Sequence, residues 1–300
     1  MKVLIAGASG FLGHALREEL IAHRHLVHTL VRRPARSANE IEWHPEHADL
    51  DPDRLRGFGA VIGLSGVGIG DKRWSASYRK ELLDSRVQPT TVLAKALAWL
   101  PQTQRPNIFI NASAIGYYGE RGDEVLVETD GPGPGYLPEL VVQWEGATQP
   151  AVDAGVRVVT LRTGLVLAAS GGMLGRMVPL FRFGLGGKLG SGRQWQSWIS
   201  LADEVAAIRF LLDDNSVSGP VNLTGPEPVR NSELTVQLGR VLHRPALFPA
   251  PALALRAVLG EFANEGVLVS QRVVPQKLQQ AGYEFQHPDL NSALEWAVRH

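Results

Sequence analysis

The stretch Met1-Lys-Val-Leu-Ile-Ala-Gly-Ala-Ser-Gly-Phe-Leu-Gly13 decides the fold class of this 300-residue chain. An apolar run at residues 3–6 leads into three glycines spaced three residues apart, and an amphipathic stretch with a leucine at every fourth position follows. This order predicts a strand, a tight glycine turn and a helix. Such a turn binds a dinucleotide pyrophosphate, because bare backbone can approach the ligand and the helix N-terminus offers free N–H groups. The alternative is a flavodoxin-like turn that binds no dinucleotide.

Short apolar runs alternate with longer amphipathic runs from Lys2 to about Gly225. This alternation predicts βαβ units and therefore an α/β fold with a Rossmann-type, doubly wound parallel sheet. The predicted strands lie at residues 3–6, 26–31, 41–44, 60–64, 108–112, 157–161 and 220–223. The predicted helices lie at residues 11–22, 75–100 (kinked or split at Pro89), 137–154 and 202–212. Right-handed crossovers place the carboxyl ends of all strands, and hence the ligand crevice, at one edge of the sheet.

The pattern changes after Leu161. Residues 165–200 are rich in glycine, and none of the predicted helices lies there. Residues 226–300, which we call the tail, contain four predicted helices, at residues 232–242, 252–259, 275–281 and 290–298. We therefore expect an NADP-binding Rossmann domain formed by residues 1–165 and 202–225. Residues 166–201 and 226–300 are expected to form a smaller, mainly helical lobe on the substrate side.

The composition excludes several classes of function. Thirty basic and thirty acidic residues give a net charge of zero, so we expect neither a nucleic-acid partner nor a membrane partner. The chain has no cysteine, which excludes disulfides and thiolate catalysis, and its nine histidines show no metal-ligand spacing. The longest apolar tract, Pro245 to Leu255, is too short to span a bilayer, and the chain opens directly into a strand. We expect a cytoplasmic protein without a metal site. Whether it forms a homodimer stays open.

The second predicted strand ends Thr29-Leu-Val-Arg-Arg-Pro34, with two arginines and no acidic residue. NAD-binding folds place an Asp or Glu at this point to accept hydrogen bonds from the ribose 2′-OH, whereas NADP-binding versions use Arg for the 2′-phosphate. Arg32 and Arg33 can bind a phosphate bidentately and stack on adenine. The strand end therefore predicts NADP(H) as the cofactor. The alternative is that both arginines are simply solvated.

Three later segments carry a family resemblance. Asn111-Ala-Ser-Ala-Ile-Gly-Tyr-Tyr-Gly119 resembles the S-S-x-x-V-Y-G segment of extended short-chain dehydrogenases, and Trp198-Ile-Ser-Leu-Ala-Asp-Glu-Val-Ala206 resembles their F-I-H-V-D-D-V-A helix start. Gly219-Pro-Val-Asn-Leu-Thr-Gly225 resembles their G-x-Y-N-I-G strand. With the glycine-rich loop and the tail, the whole chain resembles the atypical "epimerase family" of these dehydrogenases. Bacterial members of that family are often named cell-division inhibitors and carry a C-terminal domain of unknown function.

The resemblance implies a set of cofactor-binding residues. They comprise the glycine turn, the end of the second strand, the loop after the fourth strand, the helix after that loop, and the end of the sixth strand. The expected residues are Gly7, Ala8, Ser9, Gly10, Phe11, Leu12, Gly13, Arg32, Arg33, Leu64, Ser65, Gly66, Glu81, Arg86 and Arg162. For the helical pair Glu81 and Arg86, an ordinary surface or intrahelical charge is the alternative.

The catalytic residues are harder to identify. Short-chain dehydrogenases use a Tyr-x-x-x-Lys pair, in which the Lys lowers the pKa of the Tyr that acts as acid or base. Here Tyr136 is followed four residues later by Leu140, and an alignment on Glu145 puts leucine and valine at the two positions. No tyrosine of the chain has a lysine four residues later. The remaining catalytic candidates are Ser113, Tyr117 and Tyr118, and the alternative is that the tyrosines pack against nicotinamide or shape the pocket.

Two functions are compatible with these observations. The first is an NADP(H)-dependent, epimerase- or oxidoreductase-like enzyme that acts on a small polar substrate in the crevice. The second is a non-catalytic NADP(H)-binding redox sensor or regulator. The retained cofactor motifs favour the first function, and the missing Tyr-x-x-x-Lys pair favours the second.

Overall fold

The computed structural model describes residues 1–300 and contains thirteen strands and ten α-helices. The strands are β1 (Lys2–Ala6), β2 (Leu26–Val31), β3 (Glu40–Glu42), β4 (Ala60–Gly63), β5 (Ile108–Ala114), β6 (Val125–Leu126), β7 (Arg157–Thr163), β8 (Leu165–Leu167), β9 (Trp195–Gln196), β10 (Trp198–Ser200), β11 (Gly219–Leu223), β12 (Val229–Arg230) and β13 (Arg272–Val273). The helices are α1 (Phe11–Ala22), α2 (Ala76–Trp99), α3 (Tyr136–Gly146), α4 (Gln149–Asp153), α5 (Gly172–Arg182), α6 (Leu201–Asp213), α7 (Asn231–Val241), α8 (Ala252–Leu259), α9 (Gln276–Gln280) and α10 (Leu290–Arg299).

Seven strands form one parallel sheet in the order β11-β7-β5-β4-β1-β2-β3. The chain builds the sheet outward from β1 in one direction through β2 and β3, then returns to β4 and builds in the other direction. This order confirms the predicted Rossmann-type, doubly wound sheet. Ligands of such sheets bind beyond the carboxyl ends of the strands where the order reverses, which here is between β1 and β4.

Helices cover both faces of the sheet, as parallel strands require. Leu16 and Leu20 of α1 pack with residues of α6 on one face, where the core is continuous with β1, β4, β5 and β7. Leu93 and Leu97 of α2 pack with Ala151 of α4 on the other face. Each leucine that is removed completely from water in this way contributes about 2 kcal/mol to folding.

A separate apolar core lies in the second part of the chain. It is built by residues of β8, α5, β10, α7 and α10, with Phe181, Trp198 and Leu294 among its fully covered side chains. The middle of the tail packs elsewhere: Leu278 of α9 belongs to the core of the large sheet, and Tyr283 packs against it. The tail therefore covers the substrate-side core and also closes one side of the sheet.

The observed helices extend or refine the predicted helices at three places. The glycine-rich stretch at residues 165–200 contains helix α5, whose apolar residues at positions 174, 177, 178 and 181 are all buried on one face. Glycines and Pro179 in the same stretch hide that spacing in the sequence. The helix predicted at residues 137–154 is two helices, α3 and α4, whereas α2 continues through Pro89 as one helix. None of the helices is both long and apolar enough to cross a membrane.

Two adjacent carboxylates, Asp203 and Glu204, are buried in the first turn of α6. Asp203 accepts hydrogen bonds from the backbone N–H groups of Gln286 and His287, which attaches the tail to the sheet domain. Glu204 accepts one hydrogen bond at 2.8 Å from the Thr163 hydroxyl, and its second oxygen has no partner. Burial raises the pKa of Glu204 to about 8.

The Glu204→Gln variant tests this burial. Glu204 keeps its proton in the folded chain up to about pH 8 but loses it near 4.5 when unfolded, so the free energy of unfolding falls as pH rises between these values and is level above them. We expect the variant to remove most of that decline, which is on the order of a few kcal/mol. Urea unfolding of both proteins across this pH range measures the difference. Parallel profiles would contradict the assignment.

Candidate functional site

The glycine turn after β1 is closed by contacts that only glycine allows. Gly7 has a φ of +83°, and a Cβ on it would lie 2.7 Å from the carbonyl carbon of Leu64. A Cβ on Gly13 would overlap the carbonyl oxygen of Gly7. A Cβ on Gly10 would meet only that oxygen, at 3.4 Å. Gly7 and Gly13 therefore let the turn pack tightly, and Gly10 leaves bare backbone at the start of α1.

A groove of about 1120 Å³ lies beside this turn. Gly10 caps α1 without a side chain, so the first N–H groups of the helix stay available to a ligand. Phe11, Leu12 and Gly13 form the first turn of that helix, where the Phe11 ring packs against Gly171. Nine of the expected cofactor residues line the groove: Gly7, Ala8, Ser9, Gly10, Arg32, Arg33, Leu64, Ser65 and Gly66.

The two arginines at the end of β2 have different surroundings. Arg33 donates two hydrogen bonds, at 2.8 and 2.7 Å, to the carboxylate of Glu40 at the start of β3. The hydrogen bond from Arg33, together with one from the backbone of Arg36, lowers the pKa of Glu40 to about 2. Arg32 is exposed, lines the groove and makes no side-chain hydrogen bond. Arg32 is therefore the cation available to a ligand, and Arg33 neutralises the acidic residue beside it.

Glu81 and Arg86 of α2 face different surroundings. Arg86 donates to the carbonyl oxygens of Leu82 and Val67, and its side chain lies against Gly66. Arg86 thus contacts the loop after β4 but does not line the groove. Glu81 is exposed and binds the Lys72 ammonium at 3.0 Å. The α2 residues that line the groove are instead Asp84, Ser85, Gln88 and Pro89.

Arg162 stands at the centre of a buried hydrogen-bond network. Its guanidinium binds Glu145 of α3 through two hydrogen bonds of 2.9 Å. Ser113 donates its hydroxyl hydrogen to the same carboxylate at 2.6 Å. Arg162 also donates to the Tyr118 hydroxyl, which donates in turn to Asn222 of β11 at 2.8 Å. The network joins the carboxyl ends of β5, β7 and β11 to α3.

The surroundings shift the pKa values of two members of this network, Arg162 and Tyr118. Burial lowers the pKa of Arg162, but the hydrogen bonds to Glu145 outweigh it and raise that pKa above its ordinary value. Burial raises the pKa of Tyr118 to about 12, against the opposing effect of Arg162. Tyr118 has no exposed surface, and Ser113 is 5% exposed. The structure thus places Arg162, Ser113 and Tyr118 inside the protein, where Glu145 and Asn222 complete their hydrogen bonds.

Tyr117 differs from its neighbour. It is half-buried, its hydroxyl has no hydrogen-bond partner within the chain, and its ring lies 3.5 Å from the guanidinium carbon of Arg162. This cation–π contact fixes the ring while the hydroxyl stays free. Of the three catalytic candidates, Tyr117 alone has a hydroxyl without a hydrogen-bond partner within the chain.

Helix α3 carries apolar residues where a Tyr-x-x-x-Lys pair would stand. Val141 is buried beneath the helix, and Leu137 lies beside Gly116. Tyr136 at the start of the helix donates its hydroxyl to the carbonyl oxygen of Arg79 and packs on Trp74. The charged neighbours of Tyr136 are Arg86, Arg79 and Glu265 rather than a lysine. The usual proton-transfer pair is therefore absent in space as well as in sequence.

A second cavity, of about 340 Å³, lies next to Leu137 and is lined on one side by residues of the tail. The carboxylate of Glu265 accepts hydrogen bonds from the first two N–H groups of α3, at residues 136 and 137. Glu261 forms an ion pair with Arg79, and the Phe262 ring packs on Trp74. Residues 260–265 thus bridge the tail to α2 and α3 across the cavity.

Sequence reasoning missed several residues that shape the site. Glu40 was overlooked because it lies on β3, beyond the strand end where an acidic residue was sought. Asn222 and Glu265 come from distant segments, and their spacing in the sequence carries no signal. Glu145 could have been identified, since a buried arginine such as Arg162 requires a carboxylate partner.

Comparisons with known proteins agree with this geometry. The sequence profile described as the NAD dependent epimerase/dehydratase family matches residues 3–223. A second profile, described as a domain of unknown function (DUF1731), matches residues 250–297. Epimerase family protein ML0860 of Mycobacterium leprae is 49% identical over 99% of this chain and 95% of that protein.

Two solved structures are similar over nearly the whole chain. Human epimerase family protein SDR39U1 (isoform2), crystallised with NADPH, has a TM-score of 0.92 and 33% identity, and the match covers 100% of both chains. The nucleoside-diphosphate sugar epimerase of Corynebacterium glutamicum has a TM-score of 0.81 and 33% identity, covering 99% of this chain and 58% of the other. By its profile, its relatives and its fold, the chain belongs to the NAD dependent epimerase/dehydratase family.

Proposed function

We propose that this protein binds NADP(H) in the groove beside the glycine turn. The observation that carries the proposal is the pairing of bare backbone at Gly10 with the unpartnered cation of Arg32 along one groove. The pyrophosphate fits the start of α1, where the free N–H groups lie. The 2′-phosphate fits Arg32, because Arg33 is already bound to Glu40 whereas the Arg32 guanidinium has no partner within the chain. The human relative that was crystallised with NADPH supports this assignment.

The remaining half of the dinucleotide fits the loop after β4. In doubly wound sheets the two nucleotide halves lie on either side of the point where the strand order reverses. With Arg32 on the β2 side, Leu64, Ser65 and Gly66 would hold the other half, and Arg86 keeps this loop in place from behind. The cavity beside Leu137 then adjoins the carboxyl end of β5 and is the place for a small substrate.

We infer that the protein is an oxidoreductase- or epimerase-like enzyme in which Tyr117 assists the reaction. When bound, the cofactor supplies or accepts a hydride. Tyr117 would hold or donate a proton at the substrate oxygen, because its hydroxyl alone is free among the candidates. Arg162 holds the Tyr117 ring, and Leu137 and the tail line the cavity.

A second candidate function rests on the buried network. Ser113 and Tyr118 are occupied by Glu145, Arg162 and Asn222, and apolar residues replace the Tyr-x-x-x-Lys pair. These features also fit a non-catalytic NADP(H)-binding sensor, in which the bound cofactor changes how the tail closes on α3. Turnover distinguishes the two functions.

The Arg32→Ala variant tests the choice of dinucleotide. Loss of a charge-assisted hydrogen bond to a phosphate costs about 1.5–3 kcal/mol, so we expect NADPH affinity to fall by about 10- to 100-fold. NADH affinity should change little, because NADH has no 2′-phosphate. Fluorescence titration of the reduced nicotinamide measures both constants, and Arg36→Ala, an exposed arginine of the same turn, serves as the matched control. Equal weakening of NADPH and NADH binding would refute the assignment.

The Tyr117→Phe variant tests the catalytic role. Phenylalanine keeps the ring on Arg162 but removes the hydroxyl, so we expect turnover to fall by about 100-fold or more while NADPH affinity is retained. The measurement is NADPH oxidation by a panel of ketones, aldehydes and quinones. Ser113→Ala, by contrast, should mainly lower the melting temperature, because it removes a hydrogen bond to a buried carboxylate. If the wild type oxidises NADPH with none of these acceptors but NADPH protects the tail from proteolysis, the sensor function replaces the enzyme.

A further inference from the structure

Two long segments of the chain contain no acidic residue. Residues 172–202 and 234–260 hold no Asp or Glu, although the whole chain has thirty. The first segment carries Arg176, Arg182, Lys188 and Arg193, and the second carries Arg240, Arg244 and Arg256. The net charge of zero for the whole chain thus conceals two strongly basic segments.

The two segments lie side by side in the structure. The backbone N–H of Phe248 donates to the carbonyl oxygen of Gly186 at 3.0 Å. The backbone N–H of Ala250 donates to the carbonyl oxygen of Lys188 at 2.9 Å. The Arg244 guanidinium donates to the carbonyl oxygen of Arg182 at 3.2 Å. These bonds align residues 182–190 with residues 244–250, so their charges add on one surface.

This surface also exposes large apolar side chains. Phe183 is 82% exposed and Leu247 is 72% exposed. Phe183 belongs to residues 182–190 and Leu247 to residues 244–250, the two segments that these hydrogen bonds align. We define the apolar face as Leu180, Phe183, Leu185, Leu247, Phe248 and Leu253, all of which are at least half exposed. Together they present an area on the order of 600 Å², at the upper end for a soluble monomer.

The cations around the apolar face are free. Arg182 and Lys188 are exposed, and their side chains form no hydrogen bond or ion pair. Arg244 donates only to backbone carbonyl oxygens, so its charge is not neutralised. Arg182, Lys188 and Arg244 therefore place unpaired positive charge beside the apolar face.

The chemistry of the apolar face indicates its partner. A second copy of the chain would bring the same cations together across a twofold axis, which is unfavourable. Protein interfaces are anchored mainly by Trp, Tyr and Arg, whereas this face offers Leu and Phe without tyrosine or tryptophan. Phenylalanine and leucine bordered by lysine and arginine are the residues that enter the interface of an anionic bilayer.

We propose that the apolar face docks this protein on the surface of an anionic lipid bilayer. Phe183, Leu247 and Phe248 enter the boundary between headgroups and acyl chains, and Arg182, Lys188 and Arg244 contact the lipid phosphates. The docking is peripheral and reversible. It differs from the expectation, drawn from the net charge, that the protein has no membrane partner, and vesicle binding distinguishes the two.

Vesicle sedimentation of the full chain tests the proposal. We expect binding to vesicles of equal parts phosphatidylcholine and phosphatidylglycerol, weak binding to phosphatidylcholine alone, and release by added salt. Phe183→Ser and Phe248→Ser should each weaken binding by about tenfold or more, since each removes an aromatic side chain that would enter the bilayer. Arg182→Gln with Lys188→Gln should reduce binding to the anionic vesicles by about tenfold.

Matched controls separate this face from the rest of the surface. Trp99→Ser removes an exposed aromatic residue at the end of α2, and Arg54→Gln with Lys95→Gln removes two exposed charges elsewhere. None of these changes should affect vesicle binding, and all variants should keep NADPH affinity and melting temperature. The proposal is overturned if anionic vesicles do not bind the wild type, if the control variants lose binding equally, or if Phe183→Ser instead abolishes a dimer or capture of an acidic protein.

Discussion

The close approach of Gly13 to the carbonyl oxygen of Gly7 is the contact on which the rest of the structure depends. It brings α1 against the end of β1, and the left-handed conformation of Gly7 brings the same turn against Leu64 after β4. Because β1 and β4 are the neighbours at which the strand order reverses, these contacts set the position of the groove. A side chain at either glycine would separate α1 from the sheet and close the space that a pyrophosphate requires.

The Glu145–Arg162 ion pair is the second constraint, and it explains why the catalytic motif looks incomplete. A buried arginine is tolerated only when its charge and its donors are satisfied. Glu145 and Tyr118 accept hydrogen bonds from Arg162, and the hydroxyls of Ser113 and Tyr118 donate to Glu145 and Asn222 in turn. The ends of β5 and β7 are held rigidly, and Tyr117 is left as the free hydroxyl beside them.

The sequence was most informative where local geometry leaves a local pattern. The glycine spacing, the apolar strands and the arginines after β2 predicted the sheet, the groove and Arg32. It was less informative about α5, since glycines and Pro179 obscured the helical spacing, and about Ser113, whose hydroxyl points to Glu145 of a distant helix. Glu40, Asn222 and Glu265 reach the site through tertiary packing. The net charge does not indicate the apolar face, because it averages over the whole chain and does not show that residues 182–190 and 244–250 lie side by side.

A crystal structure of this protein with NADPH is the most direct test of the account. We predict that the pyrophosphate contacts the backbone between Gly7 and Gly13, that the 2′-phosphate binds Arg32, and that Ser113 remains hydrogen-bonded to Glu145. The nicotinamide should then adjoin Tyr117 and the cavity beside Leu137. A 2′-phosphate that makes no contact with Arg32, or a Ser113 hydroxyl that turns from Glu145 to the nicotinamide, would contradict it.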